Sequence, residues 1–225
     1  MQVVSGRMDR PIVHFEAPAR EVIEDELSTF IHWFNQSLAD TAVDPLVRAG
    51  LCHFWFITLH PFEDGNGRLA RALTDLALAQ AEQKSICLYA MSATILERRQ
   101  QYYQILEQSQ RASMDVSNWL LWFCDSLEQS VSAASAKIDS TLGKNRFWQG
   151  HLSDNLNNAQ RKVLNRLLDG GAKGFEAGIS SSQYAKVAKV SSPTASRHLA
   201  ELVELGCLKK LPGGGRNTRY RIKHQ

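Results

Sequence analysis

Between His60 and Arg71 the sequence reads His60-Pro61-Phe62-Glu63-Asp64-Gly65-Asn66-Gly67-Arg68-Leu69-Ala70-Arg71, a run whose residue types could do chemistry together. Gly65 and Gly67 permit backbone conformations closed to residues with a Cβ, so successive N–H groups can turn into one concavity. A helix beginning near Arg68 would add its positive end to the same place, which makes an anion cradle. Asn66 offers a neutral amide donor. Arg68 and Arg71, three apart on one helical face, add planar cationic forks that match phosphate oxygens. Asp64 beside such a cradle calls for a cation, and Mg²⁺ takes one or two carboxylates together with substrate oxygens. His60, four residues before Asp64, has the chemistry of a general base toward an attacking hydroxyl. The set suits nucleotidyl or phosphoryl transfer to a hydroxyl group.

Other chemistries fit the run less well. Gly65-Asn66-Gly67-Arg68-Leu69-Ala70 matches Gly-x-Gly-x-x-Ala, but a dinucleotide fingerprint needs a strand leading directly into its first glycine and an acid about 20 residues on. His60 and Asp64 could be two ligands of a hydrolytic metal, yet no third His, Asp or Glu stands at a persuasive spacing. The chain contains no Gly-x-x-x-x-Gly-Lys-Ser/Thr, which excludes a P-loop. A plain turn with surface arginines accounts for the glycines and leaves the other residues unexplained.

The elements that must position these residues are mostly helical. Apolar residues at three- and four-residue spacing predict helices over about 20–38, 45–59, 68–83, 92–108 and 115–140. Asp44 before Pro45 is an N-cap with proline at the first helical position, so the aromatic run after it belongs to a buried helix. Pro61 disfavours helical geometry at His60 and places that residue at the helix's C-terminal end. The opening segment Arg7-Met8-Asp9-Arg10-Pro11-Ile12-Val13-His14-Phe15-Glu16-Ala17-Pro18 has β-branched residues around a turn and reads as a short exposed hairpin. Such a ribbon is marginal alone, and it serves either to dock an incoming peptide by strand addition or as an arm packed on the helices.

Composition sets the frame. The 225 residues, 44% hydrophobic and 22% charged, are those of an ordinary globular chain. The longest apolar stretch, Leu51 to Leu59, already contains His53 and falls short of a membrane span. The first ten residues carry no signal-peptide pattern, which predicts a cytoplasmic protein. Cys52, Cys87, Cys124 and Cys207 show no paired spacing and read as reduced thiols.

The net charge of +3 is unevenly spread. Residues 1–150 hold 13 Lys+Arg against 18 Asp+Glu, and residues 151–225 hold 13 against 5. The pattern also changes near Thr141–Gly150, which predicts domains at 1–145 and 151–225. In the second, one short helix precedes two more with a tight turn at Lys189–Ser191. The last of these is expected to be capped by Ser192, with Pro193 at its first position, and to stop at Gly206. A strand, a glycine-rich tip and a second strand follow, the order of a winged helix-turn-helix. Its recognition helix would run from Pro193 to Leu205 with Ser196, Arg197 and His198 near its start, and Arg216, Arg219 and Arg221 would lie on the wing. DNA contact is then expected at Ser196, Arg197, Arg216 and Arg219. Glu201 and Glu204 sit badly against phosphates, and the module could equally recruit a target or support a homodimer.

The His60–Arg71 run resembles the Fic-domain motif His-x-Phe-x-(Asp/Glu)-Gly-Asn-Gly-Arg-x-x-Arg, matching every defined position. Val13-His14-Phe15-Glu16-Ala17-Pro18 and Phe30-Ile31-His32-Trp33-Phe34-Asn35 resemble the family's flap and following helix. The segment from Ala93 to Leu106 resembles a helix of its nucleotide side. The resemblance implies a mainly α protein, a Fic-type helical bundle with a hairpin flap, here with a C-terminal winged helix-turn-helix domain. It implies transfer of AMP from ATP to a Ser, Thr or Tyr hydroxyl of a target protein, with release of pyrophosphate.

On matching positions, His60 would be the base, Asp64 would hold Mg²⁺, and Gly65, Asn66, Gly67, Arg68 and Arg71 would bind the phosphates. Phe62 would be a packing residue that fixes the loop. Arg10, Pro11, Ile12, Val13 and His14 would form the flap that aligns the target, and Tyr102 and Tyr103 would wall the adenine side. Transfer of another phosphate-linked group, removal of AMP, or a DNA-binding regulator with a nucleotide-sensing core are the alternatives. The family's inhibitory Ser/Thr-x-x-x-Glu-(Gly/Asn) segment has no match. The nearest stretch, Ser5 to Arg10, holds Asp9 without a following Gly or Asn. The chain therefore resembles a form lacking the usual upstream helices, expected to be either unrestrained or poorly folded.

Overall fold

The structure, a computed structural model, describes residues 2–7, 10–82, 90–111, 115–170, 175, 177–213 and 218–223. The chain divides into two compact units, Met1–Ser135 and Ala136–Gln225. Among the described residues no helix is long and apolar enough to cross a membrane.

The first unit opens with an antiparallel hairpin, β1 (Gln2–Arg7) and β2 (Arg10–Glu16), with a register shift between Val3 and Val4. Five helical elements follow: α1 (Arg20–Gln36), α2 (Pro45–Leu59), α3 (Asn66–Ala81), α4 (Met91–Glu97) and α5 (Arg99–Arg111). The helix α6 (Ser117–Gly150) gives its residues up to Ser135 to this unit.

Helix α2 is the centre of the bundle. The Asp44 carboxylate accepts from the N–H groups of Leu46 and Val47, and Pro45 presets the first turn, so the cap is local in origin. Its buried side chains Ala49, Cys52, His53, Phe56 and Leu59 leave no polar face, which is what a helix surrounded by others must show. At Gly50, a Cβ would stand 2.9 Å from Leu120 Cδ2, and the buried carbonyl there accepts from Trp119 Nε1 at 2.8 Å. Glycine thus allows α6 to approach the α2 backbone. Phe30, Phe34, Phe56, Trp119 and Phe123 complete an aromatic core.

Two helix boundaries differ from the periodicity. The helix expected over 92–108 breaks at Arg98 (φ −101°, ψ 24°), where α4 ends and α5 begins. The Arg98 guanidinium donates to Asp125 and Ser126 and lies over the Trp122 ring, so contacts with α6 override the local helical pattern. Helix α6, expected to end near 140, continues to Gly150. Gly143 within it meets no neighbouring atom, and Phe147 is buried in the second unit's core. The division between the two compact units falls within α6, after Ser135.

The second unit holds α7 (Asn158–Leu168), β3 (Ile179–Ser180), α8 (Ser181–Ala188), α9 (Ser192–Glu204), β4 (Leu208–Lys210) and β5 (Arg219–Ile222), the strands in the order β3-β5-β4 and antiparallel. Capping boxes at Asn157/Gln160 and Ser180/Gln183 start α7 and α8. Lys189, left-handed at φ 55°, makes the turn to α9. The cap of α9 is Ser191, accepting from Thr194 N–H, one residue before the expected Ser192. Strand β3, too short for a periodicity signal, was not expected. Val163, Leu164, Tyr184, Leu199, Leu202 and Leu208 form the core.

Candidate active site

His60 closes α2 in a left-handed conformation (φ 47°, ψ 55°), its N–H still bonded to Phe56 O. A non-glycine residue held there costs of order 1 kcal/mol, and Pro61 forbids the helical alternative. The imidazole Nδ1 faces Ile57 O at 3.4 Å. A carbonyl only accepts, so Nδ1 carries the proton and Nε2 keeps its lone pair. Partial burial holds the imidazole below its ordinary pKa, with the Ile57 carbonyl opposing. His60 is therefore neutral near pH 7 with a free basic nitrogen.

The loop after it is closed from inside. Asn66, almost fully buried, accepts from Phe62 N–H at 3.1 Å and donates from Nδ2 to Phe62 O at 2.6 Å. The Asn66 side chain thus engages its Oδ1 and one of its two Nδ2–H groups on the loop. The Phe62 ring, 45% exposed, lies 6.5 Å from the Phe56 ring between centroids, while Asn66 holds its main chain. Gly65 caps α3 at φ +87°, a value that strains any residue with a Cβ. The first helical bonds of α3 are from Arg68 and Leu69 N–H to Gly65 O, which leaves the N–H groups of Asn66 and Gly67 with no helical acceptor.

Asp64 accepts from Gly65 N–H at 2.6 Å and from Arg68 at 3.1 Å. Their side chains are 91% and 73% exposed, so this pair contributes about 0–1 kcal/mol and is readily exchanged for another partner. Arg71 lies one turn further along α3, its Nη1 3.5 Å from where a Cβ on Gly67 would stand.

Beside this loop is a cavity of about 770 Å³. His60, Gly67 and Arg71 line it together with Arg99 and Tyr103 of α5 and Phe15 of β2. Two cationic side chains, Arg71 and Arg99, against one acid, Glu107, bias it toward an anion. Tyr102, also on the wall, is buried and its hydroxyl lies 3.0 Å from His53 Nε2. His53 Nδ1 is 2.9 Å from Thr74 Oγ1, and Thr74 donates to Ala70 O. Because Thr74 has used its proton, it accepts from His53 Nδ1–H, and Tyr102 must donate to Nε2. Complete burial, reinforced by the Arg71 charge, pushes His53 down to about 3.

The structure thus brings His60, Gly67 and Arg71 onto one cavity and leaves Asp64 and Arg68 exposed on its loop. The backbone of Arg10, Pro11, Ile12, Val13 and His14 forms β2. Val13 is exposed and its carbonyl accepts from Arg111 at 3.3 Å. The sequence reading passed over Arg99, Glu107 and Gln110, although with Tyr103 they recur at helical spacing on one face of α5.

Of the residues expected at DNA, Ser196 and Arg197 are exposed, the first bonded to Ser181 and the second paired with Glu201. Arg219, partly exposed, donates from Nη1 to Gly178 O at 2.9 Å and so holds a turn. His198 points inward, bonded to Tyr184 and Asn157. Arg216 lies outside the described residues.

Residues 4–78 match the model of the Fic/DOC family. The chain is 33% identical over 92 residues to a protein adenylyltransferase fic-1 of Caenorhabditis briggsae, covering 41% of this chain and 17% of that one. It is 32% identical over 107 residues to the Caenorhabditis elegans protein of the same name, covering 46% and 20%. It thus spans about a fifth or less of the length of these relatives. A solved Fic family protein from Desulfovibrio desulfuricans G20 is similar at TM-score 0.49 and 19% identity, over 97% of this chain and 59% of that one.

Proposed function

We propose that this chain, whose residues 4–78 match the Fic/DOC family, is a protein adenylyltransferase that moves AMP from ATP to a hydroxyl side chain of a target protein. The observation that carries the reading is the shared cavity of His60, Gly67 and Arg71, where a basic nitrogen, the helix start at Gly67 and a guanidinium line one space. The target oxygen attacks the α-phosphorus of ATP, the bond to pyrophosphate breaks, and His60 Nε2 takes the hydroxyl proton. The N–H groups of Asn66 and Gly67, with Arg68 and Arg71, receive phosphate oxygens. Tyr103 and Arg99, in contact as a cation–π pair, stand on the wall for the nucleoside part.

Asp64 fits a divalent cation, since it is an exposed carboxylate at the cradle whose present partners exchange easily. Mg²⁺ held there would offset phosphate charge. Incubation with labelled ATP and a cell lysate is expected to label protein bands in the wild type and none in His60→Ala. Label that persists in the variant overturns His60 as the base. The mass added to the acceptor distinguishes AMP from another phosphate-linked group.

A second reading concerns the C-terminal unit as a winged helix-turn-helix that binds DNA. The excess of Lys+Arg over Asp+Glu in residues 151–225, 13 against 5, and the exposed Ser196 and Arg197 on α9 favour it. Duplex binding that weakens steeply with salt, survives His60→Ala and fails in Arg197→Ala is the expected result. Binding indifferent to salt and to Arg197→Ala removes the reading.

A further inference from the structure

Three side chains in the C-terminal unit converge without a role in either reading. His151 directly follows α6, Asp154 lies in the turn after it, and Cys207 stands between α9 and β4. His151 Nδ1 is 2.6 Å from Asp154 Oδ2, Cys207 Sγ is 3.5 Å from the same nitrogen, and Sγ is 3.9 Å from the carboxylate oxygen. All three ligand atoms lie within 4.8 Å of one another. Cys207 is fully buried, His151 nearly so, and the Asp154 side chain keeps 20% of its surface exposed.

A nucleophilic dyad does not fit. Thiol and carboxylate both approach one ring nitrogen, whereas base catalysis needs an orienting group on the other.

We propose that His151, Asp154 and Cys207 form a Zn²⁺ site. Thiolate, imidazole and carboxylate are the donors this borderline-soft ion takes, while Mg²⁺ and Ca²⁺ prefer oxygen alone. Zn–S and Zn–N lengths of about 2.3 and 2.0–2.1 Å give a tetrahedral ligand edge of about 3.5 Å. Of the two distances to sulfur, 3.5 Å matches that edge and 3.9 Å exceeds it by a few tenths of an ångström. The His151–Asp154 separation must widen, as the metal replaces the proton between them, and the sulfur–carboxylate distance must shorten slightly. Charge agrees as well. The thiolate and the carboxylate together balance one divalent ion, and among the described residues no Lys or Arg pairs with Asp154. The exposed edge of Asp154 leaves an entry path and a fourth position for water. The ion would clip the segment after α6 to the α9–β4 junction.

The test uses the full chain, stripped of metal with a chelator and titrated with Co²⁺ as the spectroscopic substitute for Zn²⁺. A thiolate-to-cobalt charge-transfer band saturating at one Co²⁺ per chain is expected, with loss of the band on adding Zn²⁺. It should vanish in Cys207→Ser and persist in Cys52→Ser. Circular dichroism confirms that each variant is folded. Should Cys207→Ser fail to fold, His151→Ala and Asp154→Asn decide the matter, each expected to weaken Co²⁺ binding. Absence of the band in folded wild type, or a band unchanged by these substitutions, overturns the site and leaves a hydrogen-bonded knot.

Discussion

The Asn66 carboxamide closes on both main-chain polar groups of Phe62, at 3.1 and 2.6 Å, and so fixes the span between His60 and the start of α3. An Asn66→Ala substitution strips both partners from Phe62 inside a partly buried loop. Loss of a buried hydrogen bond's partner costs about 1–3 kcal/mol. The urea midpoint should fall accordingly, and kcat for transfer should fall further than the change in KM for ATP explains. Unchanged kcat would mean that the loop holds its shape without Asn66.

The pH dependence of transfer follows from His60. The base works only when neutral, and burial lowers its pKa from 6.5. A depressed pKa keeps the neutral form present at lower pH, so kcat/KM should rise with pH through a limb below 6.5 and be flat near neutrality. A limb centred at or above 6.5 contradicts the burial observed for this imidazole.

His53 gives a stability prediction of defined sign. Its pKa is about 3 when folded and near 6.5 when the chain is unfolded, so below 6.5 the unfolded chain binds the extra proton. Stability is therefore fully present above 6.5 and declines as pH falls toward 3, with a slope approaching ~1.4 kcal/mol per unit. Urea unfolding at several pH values should show this decline in the wild type and a shallower one in His53→Gln.

The exposed Asp64–Arg68 pair separates stability from binding. Asp64→Asn should leave the melting temperature nearly unchanged, the pair contributing about 0–1 kcal/mol. The same variant should need more Mg²⁺ to reach half-maximal transfer. A large drop in melting temperature with no change in Mg²⁺ requirement would assign Asp64 to the fold alone.

Much of the site was legible because its signals are local. Asp44 and Pro45 cap α2 through neighbours two and three residues away. Pro61 ends the helix at His60, Gly65 supplies the left-handed cap, and the motif spans a single loop and one helix start. The Fic/DOC match over residues 4–78 covers the same stretch. Even Asn66 bonds within four residues, although donor type alone does not say how an amide divides its groups between a ligand and its own loop.

What only the tertiary structure decided lies in contacts between distant residues. Tyr102 meets His53 across 49 positions, and Cys207 meets His151 across 56. Arg98 breaks a helix by reaching 27 residues ahead to Asp125. His198 is turned into its core by Tyr184 and Asn157, although the helical pattern alone allowed it to face outward. Caps, turns and the phosphate loop are written in residue types within a few positions, where backbone sterics and single hydrogen bonds suffice. Which face of α5 lines the cavity, and which donors converge beside α6, depends on how whole helices bury their apolar surface against one another.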